Sequence, residues 1–282
     1  MAATIGPVHV DAPSAGPLRY GLFHAARAIL PQDRHAGLGG VQFEPITCGG
    51  AHLYTAECPP SAQNVKTIDD NADTVTTAPF WAYATVNCSP VGRDIAQQAE
   101  RARQRLLAGE QTQVEAAFWN GGGVGASPAL TLMGATTVAS ALTSFGGRLS
   151  ALIQAFQDAY GYQGTIHVNT AAMGAAAFGN VIVRPDTPDI PAHLVTPTGE
   201  IWSFGSGYDI TGPANVAPAA GSVWAFITPP VTIWRDTEIS MPDPYQTFNR
   251  TLNQATVEAA RSYNVAPDCL TAFAIELPLE AP

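Results

Sequence analysis

Charged residues are scarce in this sequence. Of its 282 residues, 13 are basic and 23 are acidic, so that 13% of the chain is charged and the formal net charge is −10. Soluble domains usually carry about 25% charged residues. A folded monomer of 29.5 kDa exposes about 11,500 Å² of surface. So few charges over that area favour a surface that contacts other subunits.

Lysine occurs once, as Lys66, and no basic block is present. Proteins that grip nucleic acid neutralise phosphates with clustered lysine and arginine, so a dedicated nucleic-acid-binding protein is not expected. An acidic surface that encloses DNA without gripping it is compatible with the composition, because like charges repel.

Cysteines at metal-ligand spacing are also missing. The four cysteines (Cys48, Cys58, Cys88 and Cys269) form no CxxC pair and have no histidine at ligand spacing, so zinc is not expected. We predict free, buried thiols in a reducing cytoplasm. Cys48 and Cys88 flank the base of one predicted hairpin and could face each other.

The chain has no apolar run of about 18 residues, the length that a membrane-spanning helix requires. Its first residues, MAATIGPVHVDAPSAG, lack the basic and apolar regions of a signal peptide. We therefore expect neither insertion into a membrane nor secretion.

Catalytic motifs are incomplete. The string GGGVGA at 121–126 fits a dinucleotide-binding pattern, but a predicted helix precedes it where a strand is needed, so we interpret it as a helix stop. FGSGY at 204–208 would need glycine in place of Phe204 to form a nucleophile elbow, which makes Ser206 a turn residue. The six histidines share no metal-site spacing, and His167 is expected to be a core or interface histidine. No enzyme, cofactor or metal site is predicted.

The first 88 residues predict an arm followed by a hairpin. Residues 1–45 are rich in proline and glycine and leave room for one short helix in YGLFHAARAIL, so the segment has to pack against something else. Residues 46–88 are β-rich at both ends and polar in the middle, which predicts a long hairpin. The hairpin tip carries Lys66, Asp69, Asp70 and Asp73.

A long helix is predicted at about 93–119, because apolar residues recur near helical spacing. Gly109 lies near its middle and should weaken it by about 1 kcal/mol relative to alanine. The glycines after Asn120 end it. The charged residues expected to point outward from it are Arg101, Arg105, Glu110 and Glu115.

The remaining chain mixes helices and strands, which predicts an α+β fold. Helices are expected at 144–161 and in TAAMGAAAF, and strands in GTIHVN and NVIVRPD. The segment 185–222 is dense in proline and glycine and is predicted as loops. The last predicted strands lie in SVWAFITPPVTIWRDTEISM, TFNRTLNQATVEAARSYNVAP and LTAFAIELP.

This order of parts resembles the HK97-like capsid fold of tailed-phage major capsid proteins and of the related encapsulin shells. The stretches that carry the resemblance are FEPITCGGAHLYTAEC, PFWAYATVNCS running into ERARQRLLAGEQTQVEAAFWNG, and NRTLNQATVEAARSYNV. They are similar to short major capsid proteins of phages that infect actinobacteria. The implied division is an N-arm (1–45), an E-loop hairpin (46–88), a P-domain with the spine helix (89–145), an A-domain (146–222) and closing P-domain strands with the C-terminus (223–282).

The resemblance implies a structural capsid subunit that self-assembles into pentamers and hexamers of an icosahedral head enclosing double-stranded DNA. Its partners would be further copies of itself, scaffolding, portal and decoration proteins, and DNA contacted weakly on the inner face. It would assemble in the host bacterial cytoplasm and end in the virion. The alternatives are an encapsulin-like nanocompartment shell and, from another class, a monomeric β-rich hydrolase or binding protein. The residues expected at assembly contacts are Lys66, Asp69, Asp70, Asp73, Arg93, Arg101, Arg105 and Glu110.

One branch of the family joins an E-loop lysine to a P-domain asparagine by a covalent bond, assisted by a glutamate. Lys66 matches that lysine in location, and Asn249, Asn253 and Asn264 lie in the predicted closing strands with Glu258 nearby. No motif selects one asparagine, and many relatives form no such bond. The expectation is therefore that this chain does not crosslink.

Overall fold

The computed structural model describes residues 16, 18–48, 74–88, 94–184, 193–242 and 254–279. Within these ranges the helices are α1 (Leu22–Ala25), α2 (Ala36–Gly39), α3 (Ile95–Asn120), α4 (Phe145–Tyr160) and α5 (Ala172–Phe178). The strands are β1 (Ala28–Gln32), β2 (Gln42–Phe43), β3 (Val75–Thr76), β4 (Phe80–Cys88), β5 (Thr136–Thr137), β6 (Thr165–Asn169), β7 (Ile201–Gly205), β8 (Ser222–Thr228), β9 (Val231–Asp236), β10 (Ala255–Pro267) and β11 (Phe273–Pro278).

The first sheet has four strands in the order β1-β9-β10-β4. β1 runs parallel to β9, whereas β10 is antiparallel to both β9 and β4. Buried and exposed residues alternate along β4, as a strand with one covered face requires. The covered face of the sheet packs against α3. The largest fully buried side chains of this first core include Phe118, Trp119, Tyr208 and Tyr263.

The second sheet has five strands in the order β5-β11-β8-β6-β7. β6 runs parallel to β7 and antiparallel to β8, and β11 joins β8 to β5. The helix α4 packs on β11 and β8 and supplies the predicted apolar stripe Leu149, Leu152, Ile153 and Phe156 to a second core. This sequence prediction is confirmed.

The long helix α3 also agrees with its prediction, beginning and ending within two residues of it. The Asp94 side chain caps its start by accepting a hydrogen bond from Ala96 N at 3.3 Å. Gly121 ends it with a φ of 83°, a left-handed conformation that glycine adopts readily. No helix in the described ranges, α3 included, is long and apolar enough to cross a membrane.

The two sheets divide the C-terminal strands between them. β9 and β10 belong to the first sheet, whereas β8 and β11 belong to the second, beside β6 and β7. The boundaries at 146–222 and 223–282 stay a prediction, as do those of the other three parts. Most of the predicted hairpin, residues 49–73, lies outside the described residues.

Three segments differ from their sequence predictions. Of YGLFHAARAIL only the four residues of α1 are helical, and the chain then turns into β1, where it pairs with β9. In the described part of NVIVRPD, residues 180–184, one bridge joins Val183 to Val195, and the first residue, Asn180, has a φ of 53° that is incompatible with a strand. β7 lies in the region that was predicted as loops. A strand forms there because Trp202 and Phe204 enter the second core.

The predicted arm is attached to its own subunit over the described part. Leu22 is fully buried in the first core, and the Phe23 ring stacks on Tyr263 with centroids 6.0 Å apart. Tyr20 O accepts a hydrogen bond from Phe204 N at 2.8 Å. Over its described part the predicted arm thus packs against β7, β9 and β10 of its own chain, which supplies the partner that the sequence required.

Candidate assembly interface

The first half of α3, residues 95–109, presents a charged surface to solvent. Arg101 and Arg105 are exposed there, as predicted, and Glu100 pairs with Arg103 at 3.3 Å. Arg105 Nη1 also donates a hydrogen bond to Thr85 O at 3.0 Å, on the edge strand β4. A cation at this edge blocks pairing with a further strand. The charged stretch of the sequence is therefore the exposed half of a helix whose other half is buried.

Glu110 does not point outward, which corrects its predicted role as an assembly residue. It is 5% exposed and lies 3.2 Å from Arg261 Nη1 and 3.8 Å from Arg235 Nη1. Tyr263 donates its hydroxyl to Glu110 Oε2 at 2.5 Å. The physical reason is that β9 and β10 present two arginines to α3, and a buried carboxylate compensates them. Burial, and then the Glu110 charge, raise the pKa of Tyr263.

Glu115 was also expected to point outward, but this prediction is wrong because the residue is fully buried. Its carboxylate accepts hydrogen bonds from Leu22 N at 2.9 Å, Gly207 N at 3.0 Å and Gln111 Nε2 at 3.0 Å. Burial raises the pKa of Glu115, while these hydrogen bonds act in the opposite direction. A Cβ at Gly207 would lie 1.9 Å from Thr112 O, so glycine is required for this close approach. One side chain thus joins α1, α3 and the loop after β7.

Two aromatic side chains lie on the exposed face of β4. Trp81 is 44% exposed and Tyr83 is 66% exposed, although neighbouring Ala82 is buried against α3. Exposed aromatic residues on one strand face are typical of surfaces that other proteins cover.

A second apolar surface lies at the C-terminal end of α3, where two loops meet. Residues 121–133 contact residues 210–217 through a 2.7 Å hydrogen bond from Ala214 N to Thr131 O. We call these two segments the loop pair. Its exposed apolar side chains are Val124, Leu132, Ile210 and Val216.

The loop pair lies in two long uncharged stretches of the sequence. No charged residue occurs from 116 to 147, and none from 210 to 234. Solvent-facing loops normally carry charges, so an uncharged exposed loop indicates contact with another molecule. Neither the loop pair nor Trp81 and Tyr83 were among the predicted assembly residues. The long uncharged stretches were the signal in the sequence that could have identified the loop pair.

The residues considered for catalysis are structural. His167 is fully buried, with Nδ1 3.0 Å from the Tyr208 hydroxyl and Nε2 2.9 Å from Thr228 Oγ1, which confirms a satisfied core histidine. Burial lowers the pKa of its imidazole to about 3. Ser206 hydrogen-bonds Thr112 Oγ1 at 2.9 Å and ties its turn to α3. Within the described ranges no three His, Cys, Asp or Glu side chains form a group that could hold a metal ion.

Two of the four cysteines predicted to be free are bonded to each other in the structure. Cys48 forms a disulfide with Cys269, with Cα atoms 5.5 Å apart, and therefore does not pair with Cys88. The sequence separation of 221 between the two cysteines explains why spacing alone could not identify the pair. They meet because the loop after β10 returns to the segment after β2.

Most residues of the suggested crosslink, and all four of the hairpin tip, fall outside the described ranges. Lys66, Asp69, Asp70, Asp73, Arg93, Asn249 and Asn253 lie outside the described residues. Asn264 is fully buried and donates to Gln32 Oε1 and Ala36 O, both at 2.9 Å. It also accepts a hydrogen bond from Thr77 Oγ1 at 2.7 Å. An asparagine engaged in this way is not available to a lysine of another subunit.

Comparison with known proteins gives a match in structure only. No protein-family model matches the chain, and no curated protein sequence does. The capsid of a native GTA particle, computed with C5 symmetry, matches with a TM-score of 0.54 and 12% identity, over 98% of this chain and 96% of that one. A structure from Mycobacterium phage Adephagia matches with a TM-score of 0.54 and 12% identity, over 99% and 96%. One from Microbacterium phage Oxtober96 matches with a TM-score of 0.52 and 10% identity, over 98% and 95%.

These matches define the fold. The chain has the α+β, HK97-like fold of phage-type capsid proteins, which confirms the resemblance seen in the sequence. At 10–12% identity the fold is shared although few side chains are.

Proposed function

We propose that this protein is the structural subunit of a phage-type icosahedral head. The observation that carries the proposal is the match in fold to a capsid chain over 98% of this chain and 96% of the other. The scarcity of charge and the exposed, uncharged loop pair support it independently, because both are features of a surface that other subunits cover.

The subunit would assemble with copies of itself into pentamers and hexamers. Rings of five and six place the same surface in slightly different surroundings. Apolar contacts are non-directional, so the loop pair can adapt to both rings more easily than a set of ion pairs could. In the assembled subunit the parts would follow the division into N-arm, E-loop, P-domain with α3 as the spine helix, and A-domain.

The head would enclose double-stranded DNA, contacted only weakly at its inner face. A net charge of −10 disfavours tight binding to a polyanion and lets DNA be packaged without adhering. The role is structural and not enzymatic. Assembly would take place in the host bacterial cytoplasm, with scaffolding, portal and decoration proteins as further partners.

Nuclease protection tests this proposal. The chain is expressed with the neighbouring genes of its own genome, particles are isolated by sedimentation, and the DNA that remains after DNase treatment is measured. We expect fast-sedimenting particles that retain protected DNA. Particles that contain a protein cargo and no DNA would instead indicate a nanocompartment shell, and a chain that sediments at 29.5 kDa under all conditions would contradict both.

A further inference from the structure

The disulfide lies at a particular point of the fold. Cys48 is the last described residue before the segment 49–73, and Cys269 lies in the loop between β10 and β11. β2 and β3 pair on the two sides of this segment, with Gln42 opposite Thr76. The disulfide therefore fixes the start of the segment to the body of the subunit.

Non-covalent contacts hold the same point. Thr47 N donates to Asp268 Oδ2 at 3.0 Å, and the Thr47 hydroxyl donates to the same carboxylate. The Tyr162 hydroxyl donates to Thr47 Oγ1 at 3.0 Å. These bonds do not involve the sulfur atoms, so reduction of the disulfide leaves their donors and acceptors unchanged. We call the five residues Thr47, Cys48, Tyr162, Asp268 and Cys269 the clasp.

The two cysteines differ in exposure. Cys48 is partly exposed, whereas Cys269 is 5% exposed and its Sγ lies 3.1 Å from Thr271 Oγ1. Of the two residues, Cys48 is therefore the more accessible to a small thiol or disulfide from solvent. Cys269 is positioned to act second, from within the chain.

We propose that the clasp is a redox-controlled lock with two states. According to the proposed function, the subunit is synthesised in the reducing cytoplasm. There both cysteines are thiols, and only the hydrogen bonds hold residues 47–48. Outside the cell the disulfide closes and fixes the root of the segment 49–73 to the subunit body. The change of compartment rests on the proposed function.

Closure proceeds by thiol–disulfide exchange with a low-molecular-weight disulfide, RSSR. The Cys48 thiolate attacks one sulfur of RSSR and releases RS⁻, which leaves Cys48 as a mixed disulfide. The Cys269 thiolate then attacks Cys48 Sγ and releases the second RS⁻. The two protons from the cysteine thiols go to the two released thiolates, so the protein loses two electrons and RSSR gains them.

The test compares the redox state of Cys48 and Cys269 inside the cell with their redox state after oxidation. The full chain is expressed in bacterial cytoplasm, its thiols are trapped with N-ethylmaleimide before lysis, and its peptides are mapped by mass spectrometry. We expect Cys48 and Cys269 to be alkylated in most trapped chains. After treatment of untrapped protein with glutathione disulfide, the peptide linking Cys48 to Cys269 should replace them.

The melting temperature reports the consequence of closure. We expect the oxidised chain to melt about 5–10 °C higher than the reduced chain, because the crosslink constrains the unfolded state. C48S and C269S should each abolish the difference, and C88S should retain it. A linked peptide already dominant in the trapped cells, a Cys48–Cys88 link, or equal melting temperatures in both redox states would each overturn the proposal.

Experiment can distinguish a failure of the redox-lock proposal from a failure of the proposed function. If the chain forms no particles but the linked peptide and the melting shift appear on oxidation, the lock exists and the shell proposal fails. If particles form but their chains never contain the linked peptide, even after oxidation, the shell proposal stands and the lock does not.

Discussion

Glu110 lies in an environment that differs from what the sequence predicts. A helical pattern places it on a charged face, but Arg235 and Arg261, which neutralise it, lie more than 120 residues further along the chain. Which distant strand covers a helix face is a property of the sheet and not of the local pattern. The buried charges of α3 could therefore not be predicted, whereas its exposed arginines could.

Replacing Glu110 by glutamine should strongly destabilise the subunit. E110Q leaves Arg261 buried without a compensating charge, so the free energy of unfolding should fall by about 3–5 kcal/mol. Urea unfolding of the purified chain measures this. The matched control is E100Q, whose exposed pair with Arg103 should contribute no more than about 1 kcal/mol. Equal effects of the two substitutions would contradict the buried network.

The buried His167 predicts a dependence of stability on pH. Its folded-state pKa of about 3 lies below the unfolded value of about 6.5, so unfolding takes up a proton between these pH values. Stability from this residue is fully present above pH 6.5 and falls by about 1.4 kcal/mol for each pH unit below it, down to about pH 3.

Substitution of His167 isolates this contribution. H167Q should lose stability less steeply than the wild type between pH 6.5 and pH 4.5, as measured by urea unfolding at several pH values. H35Q, at an exposed histidine, should retain the wild-type slope. If H167Q and the wild type have the same slope, His167 is not held neutral in the fold.

At the scale of elements, local signals were sufficient for α3 and α4. Both helices have a capping side chain at the start, from Asp94 or Ser144, and a left-handed glycine at the end. The alternation in β4 was equally visible. The residues around Leu22 gave no such signal, because their partners, β9 and the loop after β7, are some 200 residues away.

Leu22 tests whether α1 belongs to its own subunit. L22A removes a fully buried side chain from the first core, so the free energy of unfolding should fall by about 2–5 kcal/mol in the unassembled chain. The control L38A truncates a leucine of α2 that is 68% exposed and should have a small effect. If the monomer tolerates L22A as well as L38A, the segment is not held by this core.

At the scale of the whole molecule, the uncharged loop pair is the surface expected to join subunits. L132D places a charge on a side chain that is 60% exposed, so the melting temperature of the subunit should hardly change. Desolvating that charge on assembly is costly, and we expect at least a tenfold loss, on the order of 1.4 kcal/mol, in the fraction of chain that sediments as particles.

The variant L132N, which is isosteric with L132D, separates the effect of charge on assembly from the effect of side-chain shape. It has the size of L132D without the charge, and it should assemble better than L132D. Assembly of L132D at the wild-type level would exclude this part of the loop pair from subunit contacts.

The central claim, that this chain builds a closed shell, is tested most directly by electron microscopy of the purified full-length chain. The account predicts closed particles of uniform diameter, or rings with five-fold and six-fold symmetry. A field of separate 29.5 kDa monomers at high protein concentration, unchanged by the scaffolding protein of the same genome, would contradict it.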